Sequence, residues 1–122
     1  MDARQPLYRM KADFFKTLGH PVRIRVLELL SERDQAVSEM LPEVGIEAAN
    51  LSQQLAVLRR AGLVTARREG LSVLYTLTSP QVAQLLATAR TILTGVVADQ
   101  AEWLDGAGPV PVGPAEATRA RR

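Results

Sequence analysis

Between residues 48 and 60 the chain sets Ala48, Ala49, Asn50, Ser52, Gln53 and Gln54 ahead of Arg59 and Arg60. Asn and Gln side chains carry a donor and an acceptor side by side and can bridge two atoms of an adenine edge, while a Ser hydroxyl can bond to several bases. Two alanines at the leading end permit close approach to a surface. Leu51, Leu55 and Leu58 recur between the polar residues at helical spacing, so the polar set occupies one face of a helix whose other face is buried. Such a helix fits the major groove of double-stranded DNA, and binding strength would come from phosphate contacts by Arg59 and Arg60 at its far end and by Arg67 and Arg68 just beyond. Taken one at a time, each of these residues is equally at home on an ordinary solvated face. Their order along the chain is what points to DNA.

Other chemistry finds little support. There is no cysteine, which removes disulfides, thiolate metal ligands, a thiol nucleophile and a thiol redox switch together. No serine, histidine and acid can be grouped into a triad, and there is neither a zinc-binding HExxH nor a glycine-rich phosphate loop. The chain therefore does not read as an enzyme. His20 is the only imidazole and lies beside Pro21 at a helix start, a place for capping or packing more often than for ligation. Asp99 and Glu102, three residues apart, could offer oxygen ligands to a hard divalent cation, with His20 or a partner subunit, but solubilising charge at an exposed helix end is the better explanation of them. No cofactor is otherwise indicated; a divalent metal in a site without thiolates stays open.

The elements that must position the polar face can be read in order. Leu7, Met10, Phe14 and Leu18 define an amphipathic first helix, closed by Gly19. Pro21 opens a second, with Val22, Val26, Leu27 and Leu30 as its apolar stripe. Ser31 to Gln35 reads as a polar link. Val37, Met40 and Leu41 mark a short third helix stopped near Pro42 and Gly45, and a fourth runs from about Ala48 to Ala61 with Gly62 as its stop. The period then changes. Residues 63–68 and 73–77 favour extended chain, joined by the turn Glu69-Gly70-Leu71-Ser72, in which Gly70 can take a positive φ. Alternation puts Arg67 and Arg68 on opposite faces of their strand, so one of them at most meets a DNA backbone squarely. Ser79 and Pro80 cap a long helix to about residue 104, striped by Val82, Leu85, Leu86, Ala89, Ile92, Leu93, Val96 and Val97.

Helix, turn, helix and hairpin in this order make a winged helix-turn-helix, mainly α, with about five helices and two antiparallel strands. Residues 1–104 form that domain; 105–122, rich in Gly, Pro and Ala and ending in Arg119, Arg121 and Arg122, read as a disordered tail. At roughly 1.5 Å per residue the last helix spans about 35 Å, more than so small a core can cover. A second copy would cover it. The opening MDARQPLYRMKADFF carries charge throughout and no apolar stretch of signal length, and no run of continuous apolar residues is long enough to cross a bilayer, so a cytoplasmic protein without membrane contact is expected. The net charge of +2 is small but unevenly spread: residues 1–30 hold six Lys/Arg against three acids, while 31–46 hold Arg33 against Glu32, Asp34, Glu39 and Glu43.

The run from Phe15 to Leu30, FKTLGHPVRIRVLELL, resembles the second-helix signature of the ArsR/SmtB family of bacterial repressors. Residues 50–64, NLSQQLAVLRRAGLV, are similar to that family's recognition helix, and Arg67-Arg68-Glu69-Gly70 with Tyr75-Thr76-Leu77 to its wing. The likeness covers about residues 7–104. It implies a homodimer on a palindromic operator, repressing transcription, with Ala49, Asn50, Ser52, Gln53 and Gln54 in the groove and Arg59, Arg67 and Arg68 on the backbone or minor groove. It also implies a seam formed by Leu7, Met10 and Phe14 of the first helix with Leu85, Ala89, Ile92, Leu93 and Val96 of the last. Many members release DNA when a metal, metalloid or oxidant acts on them. Here the third-helix cysteine pair of thiophilic-metal sensors is absent, and Ser79 to Leu93 contains no His, Asp or Glu where other members place ligands. The competing reading is a protein interaction module on a winged helix that no longer reads DNA, for which the long apolar helix matters and the Asn50–Gln54 face does not.

Overall fold

The computed structural model describes residues 5–107, with side chains through residue 100. The chain divides into two compact units, residues 1–84 and 85–122. The first holds four helices, a sheet and the start of a fifth helix. Helix α1 spans Leu7–Leu18 and α2 spans Pro21–Glu32. The amide of Gly19 turns back onto the carbonyls of Phe15 and Lys16 and closes α1. His20 begins α2: its Nδ1 accepts the Val22 amide at 3.2 Å, while Pro21 occupies a first-turn position where no amide is needed.

Helix α2 is the hub. Val26, Leu27, Leu29 and Leu30 are all buried, so one side of its second half is covered, while Glu28, Ser31 and Glu32 stay exposed on the other. It packs against α1, against α3 (Val37–Val44), against α4 (Ala48–Arg60) and against the sheet. Helix α4 ends in a Schellman motif: the Leu63 amide reaches the Leu58 carbonyl and the Gly62 amide reaches that of Arg59, with Gly62 at φ 78°. The last turn is thereby closed without a side-chain cap, and the chain is redirected into β2 (Val64–Glu69).

Strand β2 pairs with β3 (Ser72–Leu77) from Val64 opposite Leu77 to Glu69 opposite Ser72. That register leaves a two-residue loop, Gly70-Leu71, in which Gly70 takes φ 63° as mirror-image hairpin turns require. Thr78 ties the returning strand to the end of α4, its hydroxyl donating to the carbonyls of Gly62 and Leu63. The last helix, α5, runs Pro80–Ala107, and its Ser79 hydroxyl accepts the Gln81 amide.

Five helices stand as expected, but the sheet has three strands where two were anticipated. Gln35–Ala36, placed in or next to a polar link, is a short strand β1 that pairs antiparallel with β3 and puts β3 in the centre. Gln35 is only 3 % exposed, because its amide donates to the Leu29 carbonyl at 2.7 Å and so carries its polarity inward without an unsatisfied group. The third helix passes through Pro42 and has Val44 as its last residue, so it stops near Pro42 and Gly45 as expected. The amide that proline lacks would have faced the carbonyl of Ser38, an exposed residue that water can satisfy. It ends at Gly45, in the left-handed region.

In the second unit α5 continues as a helix to Ala107, slightly past the expected stop, and residues 108–122 of the anticipated tail lie outside the described residues. Ile92, Leu93 and Val97 are each about 60 % exposed. Although no apolar run is continuous, the 21 residues Pro80–Gln100 reach a mean hydropathy of 1.2 with 11 % buried, long and apolar enough by composition to cross a membrane. Gln84, Arg90 and Asp99 interrupt that stretch with polar and charged groups.

Replacing Gln35 with alanine should leave the Leu29 carbonyl without its donor inside the core. The expected loss is about 1–3 kcal/mol in urea unfolding, against a few tenths for alanine at the neighbouring exposed Arg33. Equal midpoints for the two variants would show that the buried amide contributes nothing.

Candidate nucleic-acid interface

The interface is built on three leucines. Leu51, Leu55 and Leu58 have no exposed surface, and their spacing of four and three keeps them on the side of α4 that packs on α2 and α3. The remaining faces of the first turns therefore point outward. Ala49, Asn50, Ser52 and Gln53 are exposed, and Gln54 is half-buried. Small residues lead and amides follow, on a rod that cannot turn without exposing its leucines.

Gln54 is not a free side chain. Its Oε1 accepts from Arg23 Nε of α2 at 2.9 Å, and its Nε2 donates to Asn50 Oδ1 at 3.1 Å. Arg23 in turn donates to the Thr17 carbonyl at the end of α1 at 3.0 Å. Three helices are linked through one guanidinium, and the line ends on Asn50. The Asn50–Gln54 half of it is the i,i+4 pairing open to any helix. Arg23 left no such signal, because it lies 31 residues from Gln54.

The wing arginines behave differently from one another. Arg67 donates to Asp34 at 2.9 Å and to the Thr76 hydroxyl at 3.0 Å, and pairs with Glu69 at 3.4 Å. The Asp34 hydrogen bond is the largest cause holding its guanidinium above the ordinary arginine value. Arg68 points to the opposite face, across from Val73, and forms no ion pair among the described residues. Arg59 and Arg60, both exposed at the end of α4, likewise carry no ion pair among the described residues. Among the described residues, positive charge without an acidic partner thus stands at the end of α4 and on one side of the hairpin.

The helix before the turn is braced by Glu39. Its carboxylate accepts the Ala36 amide at 2.9 Å and the Arg33 guanidinium at 2.8 Å, so the backbone N–H at the start of the helix is satisfied by a side chain reaching back from the first turn. Of the residues weighed as metal ligands, His20 spends Nδ1 on the α2 cap, Asp99 belongs to the second unit, and the side chain of Glu102 lies outside the described residues. Among the described residues no three His, Asp or Glu side chains gather into a metal-binding group.

An exposed polar face on the second helix of a helix-turn-helix, followed by a basic hairpin, is the arrangement of a DNA-binding winged helix-turn-helix regulator. Residues 20–66 match the model of bacterial regulatory proteins of the arsR family. The HTH-type transcriptional regulator Rv0081 of Mycobacterium tuberculosis is 56 % identical over 102 residues, 83 % of this chain and 90 % of that protein. Its crystal structure superposes with a TM-score of 0.73 at 57 % identity, covering 80 % of this chain and 98 % of that one. The transcriptional repressor BigR of Xylella fastidiosa gives a TM-score of 0.66 at 40 % identity, over 70 % of this chain and 87 % of that one. The chain belongs to the arsR family of bacterial regulatory proteins, and is a transcriptional regulator rather than an enzyme.

Glu39 gives this interface a pH signature. The Ala36 amide first, and Arg33 after it, hold its carboxyl below the ordinary glutamate value. A depressed value means that the folded chain binds the proton less readily than the unfolded one. The contribution is therefore complete above the unfolded value and lost as pH falls through the folded one. Between about pH 5 and pH 3 the urea midpoint of the wild type should fall more steeply than that of Glu39→Gln; parallel profiles would remove Glu39 from this role.

Proposed function

We propose that this regulator acts in the cytoplasm as a homodimeric repressor that recognises a palindromic operator. The observation that carries the reading is the exposed polar face of α4, held outward by leucines with no exposed surface at all. Ala49, Asn50, Ser52 and Gln53 enter the major groove, with Gln54 supporting Asn50 from behind. Arg59 and Arg68 take phosphates, and the hairpin lies along the backbone or the minor groove. Arg67 contributes less, since Asp34 and Glu69 already neutralise it.

Two copies are needed because each chain leaves apolar surface uncovered. On α1, Leu7 is 63 % exposed, with Met10 and Phe14 half-buried; on α5, Ile92 and Leu93 are exposed, with Leu85, Ala89 and Val96 half-buried. A symmetric seam through these faces buries them and sets two recognition helices at about 34–36 Å, one turn of the duplex. Arg90, midway along α5, suits a protein seam with a wet rim better than a lipid interior. That BigR is named a repressor supports the direction of regulation.

The protein should bind a promoter fragment that carries its operator more tightly than a scrambled duplex at the same salt. Arg68→Ala should lower the slope of log affinity against log salt by about 1 per contact, and Arg67→Ala by less than half as much. Equal affinity for both duplexes would refute operator recognition. In sedimentation at micromolar concentration the wild type should run as two chains and a Leu93→Glu variant as one; a single-chain wild type would remove the dimer.

A further inference from the structure

The line from Arg23 to Asn50 has a direction that chemistry alone determines. A guanidinium has donors and no acceptor, so the Gln54 atom facing Arg23 Nε is its oxygen. The other end of that amide, the NH2, then faces Asn50 and donates, so the Asn50 atom receiving it is again an oxygen. Asn and Gln amides are ordinarily reversible, with either end able to face a partner. Here one arginine removes the ambiguity from both. Arg23 is itself fixed by its second hydrogen bond, to the Thr17 carbonyl at 3.0 Å.

The consequence falls on Asn50. Its oxygen is drawn toward Gln54, one turn further along α4, so Nδ2 and its two hydrogens face away from Gln54, and the turn on the other side of Asn50 is the leading end of the helix. That end carries Ala48 and Ala49, the residues small enough to let bases approach. An unbraced asparagine can set oxygen and nitrogen side by side against adenine, accepting from N6 and donating to N7. A braced one with its oxygen turned back offers donors. Guanine N7 and O6, adenine N7 and thymine O4 all take donors, but only guanine sets two acceptors side by side for both hydrogens of one NH2; beside adenine N7 the N6 amino group would meet another donor.

Building on the DNA-reading function proposed above, we propose that Arg23 is a specificity-determining positioning residue. It touches no base, yet through Gln54 it fixes the polarity of the Asn50 amide and makes that residue a reader of guanine rather than adenine. The adenine contact that the amide composition of α4 suggests is, at Asn50, replaced by an acceptor-rich partner.

The test is a base-by-base profile: equilibrium affinities of the full-length protein for operator duplexes carrying each base pair in turn at each position. At one position per half-site the wild type should prefer dG over dA by about tenfold, the scale of one good side-chain contact to a base. Arg23→Met, which keeps the length and loses the donors, should reduce that preference to about twofold or less, with the profile at other positions retained. Arg23→Lys, still a donor, should restore part of it. Gln54→Glu provides the reversal. Its carboxylate accepts from Arg23 and from Asn50 Nδ2 alike, so Asn50 turns its oxygen outward and the preference should move to dA at that same position. This variant strengthens the contact to α2 and so does not depend on tolerating a lost partner.

A wild-type preference for dA there, a loss spread evenly over all positions in Arg23→Met, or an unmoved profile in both variants would overturn the relay while leaving operator recognition standing. A wild type indifferent at every position would overturn both.

Discussion

The burial of Leu51, Leu55 and Leu58 is the constraint on which the outward polar face of α4 depends. Each fully buried leucine contributes about 1.5–3 kcal/mol, so three together are comparable with the whole net stability of a small domain. Any rotation of α4 about its own axis would bring leucine into water and carry Asn50, Ser52 and Gln53 toward Val26 and Leu27 of α2, which have no exposed surface either. The polar face is thus outward by exclusion. Its residues need no preference for solvent of their own, and the Schellman closure at Gly62 then carries the chain directly from the end of that helix into the hairpin.

Charge in this fold orients more than it stabilises. Arg33 with Glu39, Arg25 with Glu28 and Glu43, and Arg67 with Asp34 are all well exposed pairs, each worth little in water. What they do is choose which cations stay available. Asp34, just before β1, occupies Arg67, and strand alternation sends Arg68 to the other face. The net charge of +2 consequently understates the local field, because Arg59, Arg60 and Arg68 have no ion pairs among the described residues. A protein of such modest net charge is poorly suited to coat DNA nonspecifically, and the placement of its unpaired arginines matters more than their number.

Most of the fold was legible because it is written in local signals. Gly19, Pro21, Gly62, Gly70 and Pro80 punctuate the chain where the structure turns, and the leucine spacing in α4 identified its inner face. What was not legible depends on partners far away in the chain. Two residues of β1 are too few to show a period, and Gln35 is inside only because the Leu29 carbonyl receives it. In the site, the types and exposure of Asn50, Ser52 and Gln53 could be read directly. The engagement of Gln54 by Arg23, 31 residues away, and of Arg67 by Asp34, 33 residues away, could not.

The central claim, that the outward face of α4 and the adjoining hairpin are the surface that meets DNA, is tested most directly by amide hydrogen exchange with and without a duplex carrying the operator. The account predicts added protection over Ala48–Gln54 and around Arg68, with α5 unchanged between the two states. Protection confined to α5, with α4 exchanging as it does in the free protein, would contradict it.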